Sequence, residues 1–233
     1  MRQAGVTKIV FLFDVDNTLL DNDAVQEDLS AHLEREVGLE SRDRYWEIFE
    51  ELRAQLGYAD YLGALQRYRL ENQDDPQLLR VSLFLLEYPF ASRLYAGALA
   101  ALEHCRTLGP TVILSDGDVV FQPRKVQRAG LWAAVEGRVL IYLHKERMLD
   151  AVARRYPAEH YVMVDDKLRI LAAMKDGWRE RLTTVFPRQG HYAHDARELG
   201  AWPAADITLE RIGELVGCAL PLLSGAALPQ RLP

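Results

Sequence analysis

Residues Ile9-Val10-Phe11-Leu12-Phe13 form an unbroken apolar run that ends in Asp14-Val15-Asp16-Asn17-Thr18. A short run with no polar face suits a strand buried on both sides of a parallel sheet, here placed at residues 8–13. Residues two apart on an extended segment point the same way, so Asp14 and Asp16 face one spot at the strand's carboxyl end. Open α/β sheets bind their ligands at that end. A nucleophilic carboxylate beside a second acid suits the making and breaking of an acyl-phosphate.

Residues 21–88 carry a different pattern. Val25, Leu29, Leu33 and Val37 recur at helical spacing and stop at Gly38; Tyr45, Ile48, Phe49 and Leu52 form a second stripe ended near Gly57. Tyr61, Leu62, Leu65 and Tyr68 make a third, and Leu79, Leu83 and Leu86, after Pro76 and before Pro89, a fourth. Four amphipathic helices with no strand between them imply a small bundle. The aromatic run Tyr45, Trp46 and Phe49 is assigned to its interior.

Beyond Pro89, helix and strand alternate. Helices are expected at 96–108, 121–130, 145–156 and 167–176, and strands at 111–115, 138–142, 161–165 and 181–186. Alternation of this kind gives a parallel sheet with helices on both faces, the doubly wound Rossmann-like α/β class. The first strand joins the same sheet. The domain reading is therefore a core of residues 1–20 and 89–218, a helical insertion at 21–88, and a tail at 219–233.

Three further segments end apolar strands or open helices with phosphate-handling residues. Ser115 closes Thr111-Val112-Ile113-Leu114 and precedes Asp116-Gly117; Lys145 opens a helix; Asp165-Asp166 close Tyr161-Val162-Met163-Val164. A phosphate monoester is anionic and bare carboxylates repel it, so a divalent cation with oxygen ligands is required, and Mg²⁺ fits. Asp14, Asp165 and Asp166 can supply those oxygens. Thr18, Ser115, the turn at Asp116 and Gly117, and Lys145 are the candidate phosphate binders. Asp16 can protonate a leaving alkoxide and then deprotonate water. Lys125 and Lys167 are rivals for the part given to Lys145. His144, His191 and His194 are read as loop or surface histidines.

Taken together, these segments resemble the haloacid dehalogenase-like (HAD) superfamily over roughly residues 8–217, and in particular its Asp-dependent phosphatases with a helical cap inserted after the first motif. The family's hydrophobic strand ending in D-x-D-x-T matches Val10 to Thr18, its strand ending in Ser or Thr matches Val112 to Ser115, its lysine matches Lys145, and its paired acids match Val162 to Asp166. The resemblance implies that Asp14 is the nucleophile and that Asp16 is the general acid/base, lending its backbone carbonyl to Mg²⁺. It makes Asp166 the direct metal ligand, with Asp165 a second ligand or an outer partner. Asn17 stands where Gly is common, and no acid follows Asp166 until Asp176.

The expected activity is Mg²⁺-dependent hydrolysis of a small phosphorylated metabolite. A phosphomutase shares all four motifs. A 2-haloacid dehalogenase uses the same nucleophile on carbon but places no acid two residues after it. A non-catalytic module on this fold would have lost a catalytic group, and none is missing. A net charge of −6 with scattered basic residues gives no nucleic-acid footprint. No apolar run reaches the roughly 18 residues that span a bilayer. Two cysteines, Cys105 and Cys218, without metal spacing, fit unpaired thiols in the cytoplasm.

Overall fold

The computed structural model describes residues 7–218 and 223; the tail assigned to 219–233 lies, apart from Leu223, outside the described residues. The order is β1 (Thr7–Phe13), α1 (Asn22–Val37), α2 (Leu39–Leu56), α3 (Tyr61–Glu71), α4 (Leu78–Glu87), α5 (Ala98–Leu108), β2 (Thr111–Asp116), α6 (Phe121–Arg128) and α7 (Leu131–Ala134). There follow β3 (Val139–Tyr142), α8 (Leu149–Arg155), β4 (Ala158–Val164), α9 (Leu168–Trp178), β5 (Leu182–Pro187), α10 (Ala196–Ala201) and β6 (Ile207–Leu209).

Among the described residues the strands form one sheet in the order β3-β2-β1-β4-β5-β6, and every pairing is parallel. The strand rich in Val, Ile, Leu and Phe sits in the middle because both of its faces must be covered. Ile9, Phe11 and Phe13 pack on one side with α5 and the helical insertion, and Val10 and Leu12 pack on the other with α9. The chain builds outward from β1 in one direction through β2 and β3, then in the other through β4 to β6. The reversal lies between β1 and β4, where a ligand crevice opens beyond the carboxyl ends of the strands.

Helices α1 to α4 fill the insertion and pack on one another, α1 on α2 and α4 and α3 on α2 and α4. Their first three buried stripes are those of the sequence, through Val25, Leu29, Leu33, Tyr45, Ile48, Phe49, Tyr61, Leu65 and Tyr68. The fourth is not. Leu79 and Leu83 are 72% and 55% exposed, and α4 buries Leu78, Val81 and Leu85 instead. Helix α4 reads Leu-Leu-Arg-Val-Ser-Leu-Phe-Leu-Leu-Glu, apolar over most of its circumference, so two leucine stripes compete and packing decides between them. The helix expected at 145–156 is broken: Lys145–Arg147 form a 3₁₀ turn before α8.

Both ends of the insertion meet beside Asp14. Leu20 bridges Leu94 in antiparallel fashion, the Asp21 amide donates to the Arg93 carbonyl at 2.8 Å, and the Tyr95 amide donates to the Leu19 carbonyl at 3.0 Å. Asn17 has φ +58, the left-handed region that Asn tolerates better than most residues. Its side-chain oxygen accepts the amides of Asn22 and Asp23 at 2.9 and 3.2 Å, so the residue that turns the chain also caps α1. Gly190 (φ +68) lies against it; a Cβ there would stand 2.5 Å from the Asn17 side chain.

Candidate active site

The parallel register brings the ends of β1, β2 and β4 side by side, and with them Asp14, Ser115 and Asp165-Asp166. The Asp14 amide donates to the Val164 carbonyl at 3.0 Å, fixing the height of one strand end against the other. Asp14, Asp165 and Asp166 are buried, and each offers an oxygen within 4.8 Å of those of the others. Lys145 is also buried and lies among them, its Nζ 2.5 Å from Asp14 Oδ1 and 2.7 Å from Asp165 Oδ2. Ser115 Oγ donates to Asp14 Oδ1 at 3.1 Å. Neither Lys125 nor Lys167 makes such a contact with Asp14.

Four acids, three of them buried, face two ammonium groups here, and their ionisation divides accordingly. Burial works to raise the Asp14 carboxyl, but Lys145, with Lys167 behind it, more than offsets this and holds it below the usual carboxylate range. Burial pushes Asp165 up to about 6 against the pull of Lys145, and raises Asp166 well above its ordinary value, helped by the charges of Asp165 and Asp14. Burial also raises Asp116. Lys145 is disfavoured by burial, yet Asp14 and Asp165 raise it well above the ordinary lysine value, so it stays charged.

Both Asp166 oxygens are buried without a hydrogen-bond partner among the described residues. A buried carboxylate with two unused oxygens is costly unless a cation meets it. An all-oxygen set of this kind fits a hard divalent ion such as Mg²⁺. Asp165 is differently engaged: its Oδ1 accepts the Lys167 amide at 2.9 Å and its Oδ2 faces Lys145.

Three of the expected phosphate binders have other partners. Thr18 Oγ1 accepts the Asp166 amide at 3.0 Å, tying the loop after β1 to the end of β4. The Gly117 amide donates to the Tyr142 carbonyl at 3.0 Å, so it is not a free donor. Asp116 Oδ1 accepts the Lys145 amide at 2.7 Å, and thereby anchors the lysine. These contacts tie the turn after β1 and the turn after β2 to neighbouring backbone. Ser115 and Lys145 remain as groups beside Asp14.

A group of side chains on helices completes the site, and in it Lys125, in sequence only a rival to Lys145, meets Asp16 instead. Lys125 of α6 is fully buried, and its Nζ lies 2.7 and 2.9 Å from the two oxygens of Asp16 and 3.0 Å from Asn22 Oδ1. Gln122 of α6 donates to Ser115 Oγ at 3.0 Å. A signal existed: Phe121, Gln122, Lys125, Val126 and Ala129 share one helical face, and all five are buried. Two polar residues on an otherwise apolar stripe need partners inside.

Above the cluster lies a cavity of about 560 Å³ between the sheet edge and the insertion, within the range of small-molecule sites. Asp16, Asp166, Lys167 and Tyr192 line it from the core, and Arg53 and Tyr58 from the insertion. Arg53 donates to the Tyr192 hydroxyl at 2.5 Å, and the Lys167 ammonium sits 5.1 Å from the centre of the Tyr192 ring. His191 is held by Asp23, which accepts from its ring nitrogen at 2.7 Å and from its amide at 2.8 Å.

Residues 10–177 match the family model described as haloacid dehalogenase-like hydrolase. A protein assigned to the haloacid dehalogenase-like hydrolases of Burkholderia xenovorans LB400 is 69% identical, with a TM-score of 0.88 over 91% of this chain and 99% of that one. YfnB of Bacillus subtilis, described with magnesium bound, is 16% identical with a TM-score of 0.61, covering 91% of this chain and 98% of that one. The L-2-haloacid dehalogenase of Xanthobacter autotrophicus, with chloropropionic acid covalently bound, is 19% identical with a TM-score of 0.58, covering 91% and 98%. The last two share the fold. No curated protein sequence matches this chain.

Proposed function

Because the chain belongs to the haloacid dehalogenase-like hydrolase family, we propose that it is a Mg²⁺-dependent phosphatase that hydrolyses a small phosphorylated metabolite through an aspartyl-phosphate on Asp14. The observation that carries this reading is the buried cluster of Asp14, Asp165 and Asp166, with both Asp166 oxygens unpartnered. Attack on the carbon of a haloacid gives such a cluster no task, whereas a phosphate monoester cannot approach four acids until their charge is balanced.

Asp14, Asp166 and the Asp16 backbone carbonyl would hold the cation, with Asp165 beside them. When bound, it screens the phosphoryl charge from the carboxylates. Asp14, kept ionised by Lys145, supplies the electron pair that forms the bond to phosphorus. The bond from phosphorus to the leaving oxygen breaks, and Asp16, as the general acid of this reading, passes a proton to that oxygen. Water then attacks phosphorus, Asp16 takes a proton from it, and the bond to Asp14 breaks. Lys145 and the Ser115 hydroxyl hold Asp14 in line throughout. Most of the work is positioning and charge balance, as phosphoryl transfer demands.

In this reading residues 1–20 and 89–218 form the catalytic core and residues 21–88 a cap. The paired linkers at Leu20 and Leu94 support a lid whose inner face, with Arg53 and Tyr58, admits a small molecule and excludes duplexes and proteins. No helix among the described residues is long and apolar enough to cross a membrane. Cys105 and Cys218 are both free thiols, which fits a reducing cytoplasm.

The deciding experiment offers the purified protein p-nitrophenyl phosphate and 2-chloropropionate, each with Mg²⁺ and with chelator. The expected outcome is phosphate release that needs Mg²⁺ and no chloride release. Chloride release without metal would replace this reading with the dehalogenase one.

A further inference from the structure

Lys125 has no part in the chemistry above, yet it is one of the most enclosed charges in the molecule. It is 0% exposed, and its ammonium lies 5.3 Å from the centre of the Phe121 ring and 5.6 Å from that of Tyr61. Its contacts account for all three donors an ammonium has: two go to the oxygens of Asp16 and one to Asn22. Asp16 is the carboxylate it pairs with among the described residues. A charge this buried without an anion beside it would cost several kcal/mol. The pair is unequal, however. The Asp16 side chain is 23% exposed and lines the cavity, while Lys125 is walled in. The lysine is a fixed post, and the carboxylate is what it holds.

The surroundings extend this hold in both directions. Towards the nucleophile, Gln122 donates to Ser115 at 3.0 Å and lies 3.4 Å from Asp16 Oδ2, and Ser115 donates to Asp14. Towards the insertion, Asn22 donates to the Tyr61 hydroxyl at 3.1 Å, as Gln26 does at 2.9 Å. Tyr61 is itself fixed by its rings' neighbours, Phe49 at 4.8 Å and Phe121 at 5.2 Å. One polar chain therefore runs from Asp14 through Ser115, Gln122, Asp16, Lys125 and Asn22 to Tyr61.

We propose that Lys125 is the positioning residue for Asp16: it fixes the carboxyl group that serves the leaving oxygen, and Tyr61 buttresses it from the helical insertion through Asn22. This rests on the phosphatase reading. A carboxyl held at both oxygens occupies one orientation; released, it spreads over its rotamers, and the fraction aimed at the leaving oxygen falls. The loss should show only where the leaving group needs a proton. Phenol needs one, its ordinary pKa being about 10. Dinitrophenolate leaves as the anion.

The test compares kcat/KM for phenyl phosphate and 2,4-dinitrophenyl phosphate, since that ratio covers the steps up to departure of the leaving group. Lys125→Met keeps the length of the side chain and suits the aromatic walls. It should cost phenyl phosphate roughly 30–100-fold, somewhat less than the roughly 10²–10⁴-fold worth of acid–base catalysis as a whole, and shift the ratio of the two esters at least about 10-fold. Asp16→Asn sets the ceiling of that shift. Tyr61→Phe, which keeps the ring and removes the hydroxyl, should shift the ratio the same way by roughly 3-fold. Equal losses on both esters, or none, in Lys125→Met would overturn the proposal and leave a structural ion pair. If Lys125→Met does not fold, Tyr61→Phe decides by the same criterion. A parent protein that hydrolyses neither ester defeats the phosphatase reading itself, and this inference falls with it.

Discussion

The two walls of the cavity are built on opposite principles. The core wall is charged and buried: Lys145 holds Asp14 and Asp165 together beside Asp166, and removing the lysine leaves both of its carboxylate partners without their cation. The insertion wall is long-armed and partly open. Arg53 and Tyr58 reach in from the end of α2 and the loop after it, and Arg53 spans to Tyr192 through a single contact. The first wall suits chemistry that never changes; the second suits selection among partners. Substitutions on the two should therefore fail in different ways.

The largest effect belongs to the core wall. Asp14→Asn should abolish turnover in a phosphate-release assay, because an amide does not attack phosphorus. Asp16→Asn should lose roughly 10²–10⁴-fold. Measurable turnover by Asp14→Asn would move the nucleophile elsewhere. Next comes Lys145→Met. Removing one partner of a buried ion pair costs about 3–5 kcal/mol, on the order of 10 °C in Tm for a chain of this size, and activity should fall with it. Lys167→Met should be milder in both respects, since no carboxylate pairs with its ammonium within ion-pair distance among the described residues. Equal Tm losses would show that the core wall is less tightly interlocked than its distances imply.

Arg53→Ala probes the other wall. It should raise KM for a favoured substrate about 10-fold, the worth of one charge-assisted hydrogen bond, and leave Tm within about 2 °C. A fall in kcat with KM held constant would put Arg53 in the chemistry and erase the contrast between the walls.

A smaller effect tests charge in the cluster. Asp165 and Asp166 have raised values in the folded state. Such groups lend stability below the ordinary carboxylate pKa and lose it as pH rises, for Asp165 through about 6. Metal-free protein should therefore lose stability from this cluster between pH 5 and 7.5, and Mg²⁺ should raise Tm more at pH 7.5 than at pH 5. A Mg²⁺ shift equal at both pH values would show that the cation does not meet these acids. Smallest of all, Leu79→Ala on the exposed side of α4 should change stability by less than about 0.5 kcal/mol, while Val81→Ala on its buried side should cost about 1–3 kcal/mol in denaturant unfolding.

The same contrast explains what could be read in the sequence. Strand ends announce themselves: an apolar run stops at Asp14, at Ser115 and at Asp165, and a parallel sheet then has little freedom but to align them. Lys145 followed from its place before β4. Helical side chains give no such marker. Lys125 and Gln122 lie on a face whose burial depends on what packs there, and Tyr61 looked like one more aromatic in a bundle. Leu79 and Leu83 misled because α4 is apolar on nearly every side, so periodicity lost its power to choose. The contacts of Thr18 with Asp166 and of Gly117 with Tyr142 become visible only once strand register is known.

The central position of β1 also sets an order of events during synthesis. Phe11 pairs with Thr111 and Phe13 with Val164, so the strand that carries the nucleophile meets its neighbours only after one hundred, and then some 150, further residues have been made. At ~5–20 residues per second it waits roughly 10 s or more on the ribosome. Helices α1 to α4, whose contacts are mostly near in sequence, emerge in that interval and can close on one another first. The first strand made is thus the one that waits longest for its neighbours, which makes it the place where a chaperone would engage and where a slowed β4 would turn into aggregation.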